Sequence, residues 1–123
     1  MFAIDERLDM VRESLAHVGG VEVAASTGLA IDAARDLGAD FMVKGLRNTT
    51  DFDIEQQMAH TNQSVGGVAT VYLPCRPDQV FVSSRFIREI AQYGRDVSHL
   101  VPAPVQQRFA LRFPPDQPPR DLP

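Results

Sequence analysis

Short apolar runs alternate with amphipathic stretches along most of this 123-residue chain, and this alternation limits the fold to a few architectures. Ile4, Leu8, Val11 and Leu15 recur every three or four residues, which places them on one face of a helix. Residues 41–43 are instead continuously apolar, a pattern typical of a strand buried on both faces. Helices that alternate with strands predict parallel strands joined by right-handed crossovers.

The predicted order of elements is that of an α/β domain with a three-layer, doubly wound parallel sheet. Helices are predicted over 4–16, 29–37, 51–63, 85–93 and 105–111, and strands or extended pieces over 21–24, 41–43, 68–73 and 79–82. Either Thr50 or Asp51 is expected to cap the third helix, and either Ser83 or Ser84 the fourth. The domain is expected to span residues 1–112. Proline supplies five of the eleven residues in 113–123, which predicts a disordered tail.

Composition excludes several functional classes. The formal net charge of −4 argues against a nucleic-acid surface, which normally needs an excess of lysine and arginine. The one cysteine, Cys75, rules out a disulfide framework and fits a reducing cytoplasm. No apolar run approaches the about 18 residues of a membrane span, and the N-terminus lacks the pattern of a signal peptide. We therefore expect a cytoplasmic protein that binds neither nucleic acid nor membrane.

The segment Lys44-Gly45-Leu46-Arg47 places two cations around one glycine where a predicted strand ends. The turn that follows a parallel strand is where ligands bind in open α/β folds, and glycine lets the backbone approach a ligand. Arginine offers a planar fork of donors to phosphate oxygens, and lysine offers a point charge. The alternative interpretation is a solvated basic turn that pairs with Asp51 or Asp53.

Two further patterns allow a functional and a structural interpretation. Glu55 and Asn62 are seven residues apart and share a helix face, either to bind a ligand or as a solvated polar stripe. Ser83-Ser84-Arg85 opens a helix, which suits an anion but also a plain N-cap. No protein-held metal cluster is expected, because the three histidines share no ligand spacing and Cys75 has no partner.

Taken together, these segments resemble the motifs of bacterial phosphopantetheine adenylyltransferases, a nucleotidyltransferase family with a Rossmann-like fold. The family's F-x-x-x-E-R helix start resembles Phe2–Arg7, and its G-L pair resembles Gly28-Leu29. Its R-G-L-R-x-x-x-D-F-x-x-E-x-x-x-A-x-x-N motif resembles 44–62, and its I-S-S-[ST]-x-[VIL]-[RK]-E helix start resembles Val82–Glu89. The resemblance extends over residues 2–109, most of the chain.

The resemblance implies adenylyl transfer from ATP to 4′-phosphopantetheine, giving dephospho-coenzyme A and pyrophosphate, in coenzyme A biosynthesis. The family requires Mg²⁺ and is typically a cytoplasmic hexamer. The implied ATP-binding residues are Gly45, Leu46, Arg47, Glu55, Gln79, Val80, Phe81, Val82, Ser83, Ser84 and Arg85. The implied substrate-binding residues are Ala30, Lys44 and Asn62. Arg47 is expected to converge with the two serines on one triphosphate pocket.

This sequence departs from the family pattern at three places. The family opens with a strand and a G-x-F-D-P-x-[TH]-x-G-H segment, whose histidine stabilises the transition state, and the 123 residues begin after it. A start at an internal methionine, a fragment and a degenerate relative are the open explanations, and no catalytic residue is expected within the chain. Lys44 replaces an arginine, and Arg85 replaces a small hydroxyl residue. The alternatives are a non-catalytic relative that binds nucleotide or assembles with partners, and a sister enzyme acting on another phosphorylated acceptor.

Overall fold

The computed structural model describes residues 1–114, which form two compact units. The sheet unit comprises Ser26–Phe81, and the helical unit joins residues 1–25 to the chain from Val82 onward. The helices are α1 (Ile4–Leu15), α2 (Ala30–Asp36), α3 (Thr49–Gly66), α4 (Ser84–Gln92) and α5 (Ala103–Arg112), and the strands are β1 (Phe41–Leu46) and β2 (Ala69–Pro74). All five predicted helices are confirmed. Residues 115–123 of the predicted tail lie outside the described residues.

The strands β1 and β2 pair in parallel, with Lys44 opposite Tyr72. Their side chains alternate between a face that packs against the helices of the sheet unit and an open face. Phe41 and Val43 lie on the open face, where 53% and 54% of their surfaces are exposed. The prediction that residues 41–43 are buried on both faces is therefore wrong. An apolar run supplies apolar side chains to both faces of a strand, but the helices of the sheet unit cover one of the two faces.

The core of the sheet unit lies where α2 meets the start of β2. Ile31, Ala34 and Val68 are buried there, and Met42 of β1 packs against them. Gly66 lies so close to Ile31 that a Cβ atom at this glycine would overlap the isoleucine side chain. The next residue, Gly67, ends α3 in the left-handed conformation with φ 73°, which glycine adopts without steric cost.

The helical unit has a core of its own. Ile87 and Ala91 of α4 are buried with Val97 and Phe109, and Phe2 packs on Phe109 with ring centroids 5.3 Å apart. Two ion pairs also join α1 to α5, Arg108–Glu13 at 2.6 Å and Arg112–Glu6 at 3.1 Å.

Two predicted strands are wrong. Residues 21–24 form no strand, because a strand exists only where a neighbour completes its hydrogen-bond ladder, and the one sheet within residues 1–114 consists of β1 and β2. Residues 79–82 form no strand either, and the Val80 backbone has right-handed helical angles. Pro77–Gln79 forms a single 3₁₀ turn, in which the Gln79 N–H donates to the Arg76 carbonyl at 2.9 Å. Proline has the fixed φ that the first position of such a turn needs.

Candidate functional site

The turn from β1 into α3 is held by the side chain of Asn48. This residue has an extended backbone, with φ −155° and ψ 177°, and its Oδ1 accepts a hydrogen bond from the Asp51 N–H at 2.9 Å. Asn48 is thus the N-cap, and the prediction of Thr50 or Asp51 is wrong because both already belong to the first turn of the helix.

The guanidinium of Arg47 is bound by the carboxylate of Asp51. Its Nε donates to Oδ2 at 2.9 Å, its Nη2 donates to Oδ1 at 3.2 Å, and the Arg47 backbone N–H donates to Oδ2 at 3.2 Å. These hydrogen bonds raise the pKa of Arg47 and lower the pKa of Asp51, so both groups are charged at neutral pH. The pairing anticipated by the alternative interpretation of the basic turn is therefore present, with Asp51 as the partner.

Lys44 and Glu55 form the second ion pair of the site. Lys44 Nζ lies 3.1 Å from Glu55 Oε2, and the two side chains are 27% and 25% exposed. The Oε2 atom itself is buried and lacks a hydrogen bond within the described residues, so this contact is an ion pair without hydrogen-bond alignment. A cation predicted to bind the acceptor thus touches a carboxylate predicted to bind the nucleotide.

Tyr72 holds α3 over the packed face of the sheet. It lies opposite Lys44 in the β1–β2 register, and its hydroxyl donates to the backbone carbonyl of Glu55 at 3.2 Å. Its ring meets Phe52 of α3 edge-on, with centroids 5.7 Å apart and an interplanar angle of 71°. One strand pairing and one helix contact therefore bring the side chains of Lys44 and Glu55 together.

The other predicted residues of the sheet unit lie around this turn or on neighbouring elements. Gly45 lies on the open face of β1, and a Cβ atom there would meet no other atom within 4 Å. Ala30 is exposed at the start of α2, and Asn62 is half-buried on α3. Leu46 is half-buried at the end of β1, and Gln79, Val80 and Phe81 are exposed in and after the 3₁₀ turn.

Four predicted nucleotide-binding residues, 82–85, belong to the helical unit. Ser83 is the N-cap residue of α4, as the pattern predicts, but its side chain makes no capping hydrogen bond. Arg85 Cζ lies 6.0 Å from the centre of the Phe86 ring. Because Arg47 belongs to the other unit, its convergence with Ser83 and Ser84 stays a prediction.

Among residues 1–114, no group of three or more histidine, cysteine, aspartate and glutamate side chains is arranged to hold a metal ion. In the same part of the chain, no helix has both the length and the apolar character needed to cross a membrane.

Known proteins identify the family of this chain. A model of the cytidylyltransferase-like family matches residues 1–90. The chain is also 43% identical, over 116 residues, to a phosphopantetheine adenylyltransferase of Frankia alni, and the match covers 91% of this chain and 72% of that protein. The chain belongs to the phosphopantetheine adenylyltransferase family. The resemblance drawn from the motifs is confirmed, and so is the parallel α/β fold of a nucleotidyltransferase, with two strands within residues 1–114.

The family match of residues 1–90 includes both the β1–α3 turn and the start of α4. Two residues that shape the turn were missed from the sequence. Asn48 could have been predicted from the sequence, since asparagine is a strong N-cap and an acidic residue follows three positions later. The role of Tyr72 could not be predicted, because its position opposite Lys44 depends on a strand register that local spacing does not encode.

Proposed function

We propose that this chain acts as a phosphopantetheine adenylyltransferase, which transfers the adenylyl group of ATP to 4′-phosphopantetheine and yields dephospho-coenzyme A and pyrophosphate. The observation that carries the proposal is the 43% identity to a protein of that name over 91% of this chain. The contact of Lys44 with Glu55 at 3.1 Å supports it, because it places an implied acceptor-binding group beside an implied nucleotide-binding group.

The reaction needs no nucleophile from the protein. A phosphate oxygen of the acceptor attacks the α-phosphorus of ATP and forms the new P–O bond. The bond from the α-phosphorus to the bridging oxygen breaks, and pyrophosphate leaves with that oxygen. Such an in-line displacement is accelerated by positioning of the reactants and by stabilisation of the charge on the phosphates. Cations and aligned donors at a β–α turn can supply both effects.

Each residue of the β1–α3 turn has a chemical role in this proposal. Lys44 binds the phosphate of the acceptor, and Arg47 presents its planar fork to the phosphates of ATP. Glu55 accepts hydrogen bonds from the nucleotide, and the open space beside Gly45 leaves room for a ligand to approach the backbone. Lys44 must exchange its contact with Glu55 for a contact with the acceptor phosphate, a more highly charged partner.

Three groups complete the proposed binding residues. Ala30 contacts phosphopantetheine through its backbone, and Asn62 lies near the pantetheine arm. The second wall of the nucleotide site consists of Gln79, Val80, Phe81, Val82, Ser83, Ser84 and Arg85. We also expect the family's hexameric assembly and cytoplasmic location. The mass of the protein in solution, compared with the 13.6 kDa of one chain, tests the assembly.

Mg²⁺ is proposed to arrive with ATP rather than to reside on the protein. Residues 1–114 offer no cluster of metal-ligating side chains, so the described part of the chain does not fit an ion held by the protein itself. Mg²⁺ commonly keeps several waters and binds through substrate phosphates.

The test is pyrophosphate release by the full chain with ATP, Mg²⁺ and either phosphopantetheine or pantetheine. We expect turnover with phosphopantetheine and none with pantetheine. The Lys44→Met variant should raise the acceptor KM by about ten- to a hundredfold, because a charge-assisted hydrogen bond contributes about 1.5–3 kcal/mol. Arg12→Met is the matched control, since it removes a cation paired with Asp9 on α1.

The possible results separate the candidate functions. Turnover that is indifferent to the phosphate of the acceptor would refute the role of Lys44. ATP binding without pyrophosphate release would favour the non-catalytic relative, and turnover with another phosphorylated acceptor would favour a sister enzyme. A chain that neither binds ATP nor releases pyrophosphate would refute the proposal.

A further inference from the structure

Asp51 lies at the centre of the hydrogen bonds that form the β1–α3 turn. Its carboxylate accepts from the Nε, the Nη2 and the backbone N–H of Arg47, while its own N–H donates to Asn48. We propose that Asp51 is a positioning residue that holds the Arg47 guanidinium in one orientation for the phosphates of ATP. This inference rests on the proposed function.

The geometry of the contact supports a positioning role. Two parallel hydrogen bonds from a guanidinium to a carboxylate fix the plane of the guanidinium as well as its location. The backbone bond ties the same carboxylate to the start of the turn, and the Asn48 cap holds the Asp51 backbone in the first turn of α3. The carboxylate is therefore anchored at both ends of the turn before any ligand arrives.

This anchoring reduces the entropic cost of binding. A free arginine side chain has many rotamers, and restricting it to one of them on ligand binding costs conformational entropy. Asp51 makes that selection during folding. The two hydrogen bonds to Asp51 use the Nε and Nη2 edge of the guanidinium, and the proposal has the phosphates of ATP approach the same guanidinium from another edge.

The main alternative is that Asp51 only neutralises Arg47. The Asp51 side chain is 22% exposed and charged, and a carboxylate beside a bound triphosphate is repelled by it. If neutralisation dominates, removal of the negative charge strengthens ATP binding, because Asp51 then no longer repels the phosphates. If positioning dominates, removal of the carboxylate weakens ATP binding. The two roles thus predict opposite changes in affinity.

Calorimetry of ATP binding to the full chain tests the sign. Asp51→Asn should weaken binding by about three- to tenfold, the effect of one side chain that must be ordered on binding. Asp53→Asn, the matched loss of charge two positions along α3, should leave the affinity within a factor of about two. In the Arg47→Ala background, Asp51→Asn should no longer weaken binding, because the positioning effect acts through the arginine.

A second measurement does not depend on the variant folding. In the ¹⁵N spectrum of the unsubstituted chain, the Arg47 Nε–H should give a slowly exchanging resonance before ATP is added, since Asp51 binds that proton. A rapidly averaged resonance in the free chain would overturn the inference. So would ATP binding that is unchanged or tighter in Asp51→Asn. If the unsubstituted chain binds no ATP, the proposed function fails first, and this inference fails with it.

Discussion

Gly66 offers a test in which two physical effects predict opposite signs. It is the last residue of α3, and alanine exceeds glycine in helix propensity by up to about 1 kcal/mol. An added Cβ would overlap two atoms of Ile31, Cγ1 and Cδ1. Ile31 is 2% exposed, and overpacking of a buried side chain costs about 1–3 kcal/mol. We expect Gly66→Ala to lower the free energy of unfolding by about 1–2 kcal/mol.

Urea unfolding followed by circular dichroism measures this change. Gly45→Ala in the same unit is the control, since a Cβ there would meet no atom within 4 Å and its φ is not positive. The control should leave the midpoint of unfolding unchanged or slightly raised. The slope of the transition should be the same in all variants, since the surface exposed on unfolding does not change.

A second substitution identifies the atoms responsible. Ile31→Val removes Cδ1 and by itself costs about 0.5–1.5 kcal/mol. In the Gly66→Ala background it also removes the part of the overlap that involves Cδ1 and leaves the part that involves Cγ1, so it should cost less than it does in the original chain. The reasoning would be refuted by a Gly66→Ala variant at least as stable as the original chain. An equal cost of Ile31→Val in both backgrounds would refute it as well.

Two further predictions concern the β1–α3 turn. Because Arg47 lowers the pKa of folded Asp51 below its ordinary value of 3.8, Asp51→Asn should reduce stability above that pH, and the reduction should vanish as the pH falls through the lowered pKa. Urea midpoints at pH 7 and below pH 3 check this, and a reduction that persists in acid would contradict it. Tyr72→Phe removes the hydrogen bond to the Glu55 carbonyl and keeps the ring on Phe52, so it should cost about 1 kcal/mol in the same assay. An unchanged midpoint would show that this bond contributes nothing.

Local patterns predicted the helices well. The recurrence of Ile4, Leu8, Val11 and Leu15 marked α1. Non-local features were missed. The apolar run 41–43 identified a strand without showing that one of its faces is open, and residues 21–24 have the composition of a strand but no neighbour to pair with.

The same division holds for the candidate site. Arg47 and Asp51 are four residues apart, so their pairing was among the interpretations open from the sequence. The contact of Lys44 with Glu55 was not, because it depends on how α3 lies over β1 and on the contact with Tyr72. The motifs identified the family from residue types and spacing alone, which are local information.

The two-residue repeat of β1 has a consequence for the gain or loss of single residues. Lys44 reaches Glu55 because it lies on the packed face, between neighbours that lie on the open one. Deletion or insertion of one residue within the strand would invert this parity, turn the lysine outward and point Val43 at the helix. Changes of length between α1 and α2, where no strand is paired, leave the parity intact. We therefore expect insertions and deletions between α1 and α2 to disturb the Lys44–Glu55 contact less than those within β1.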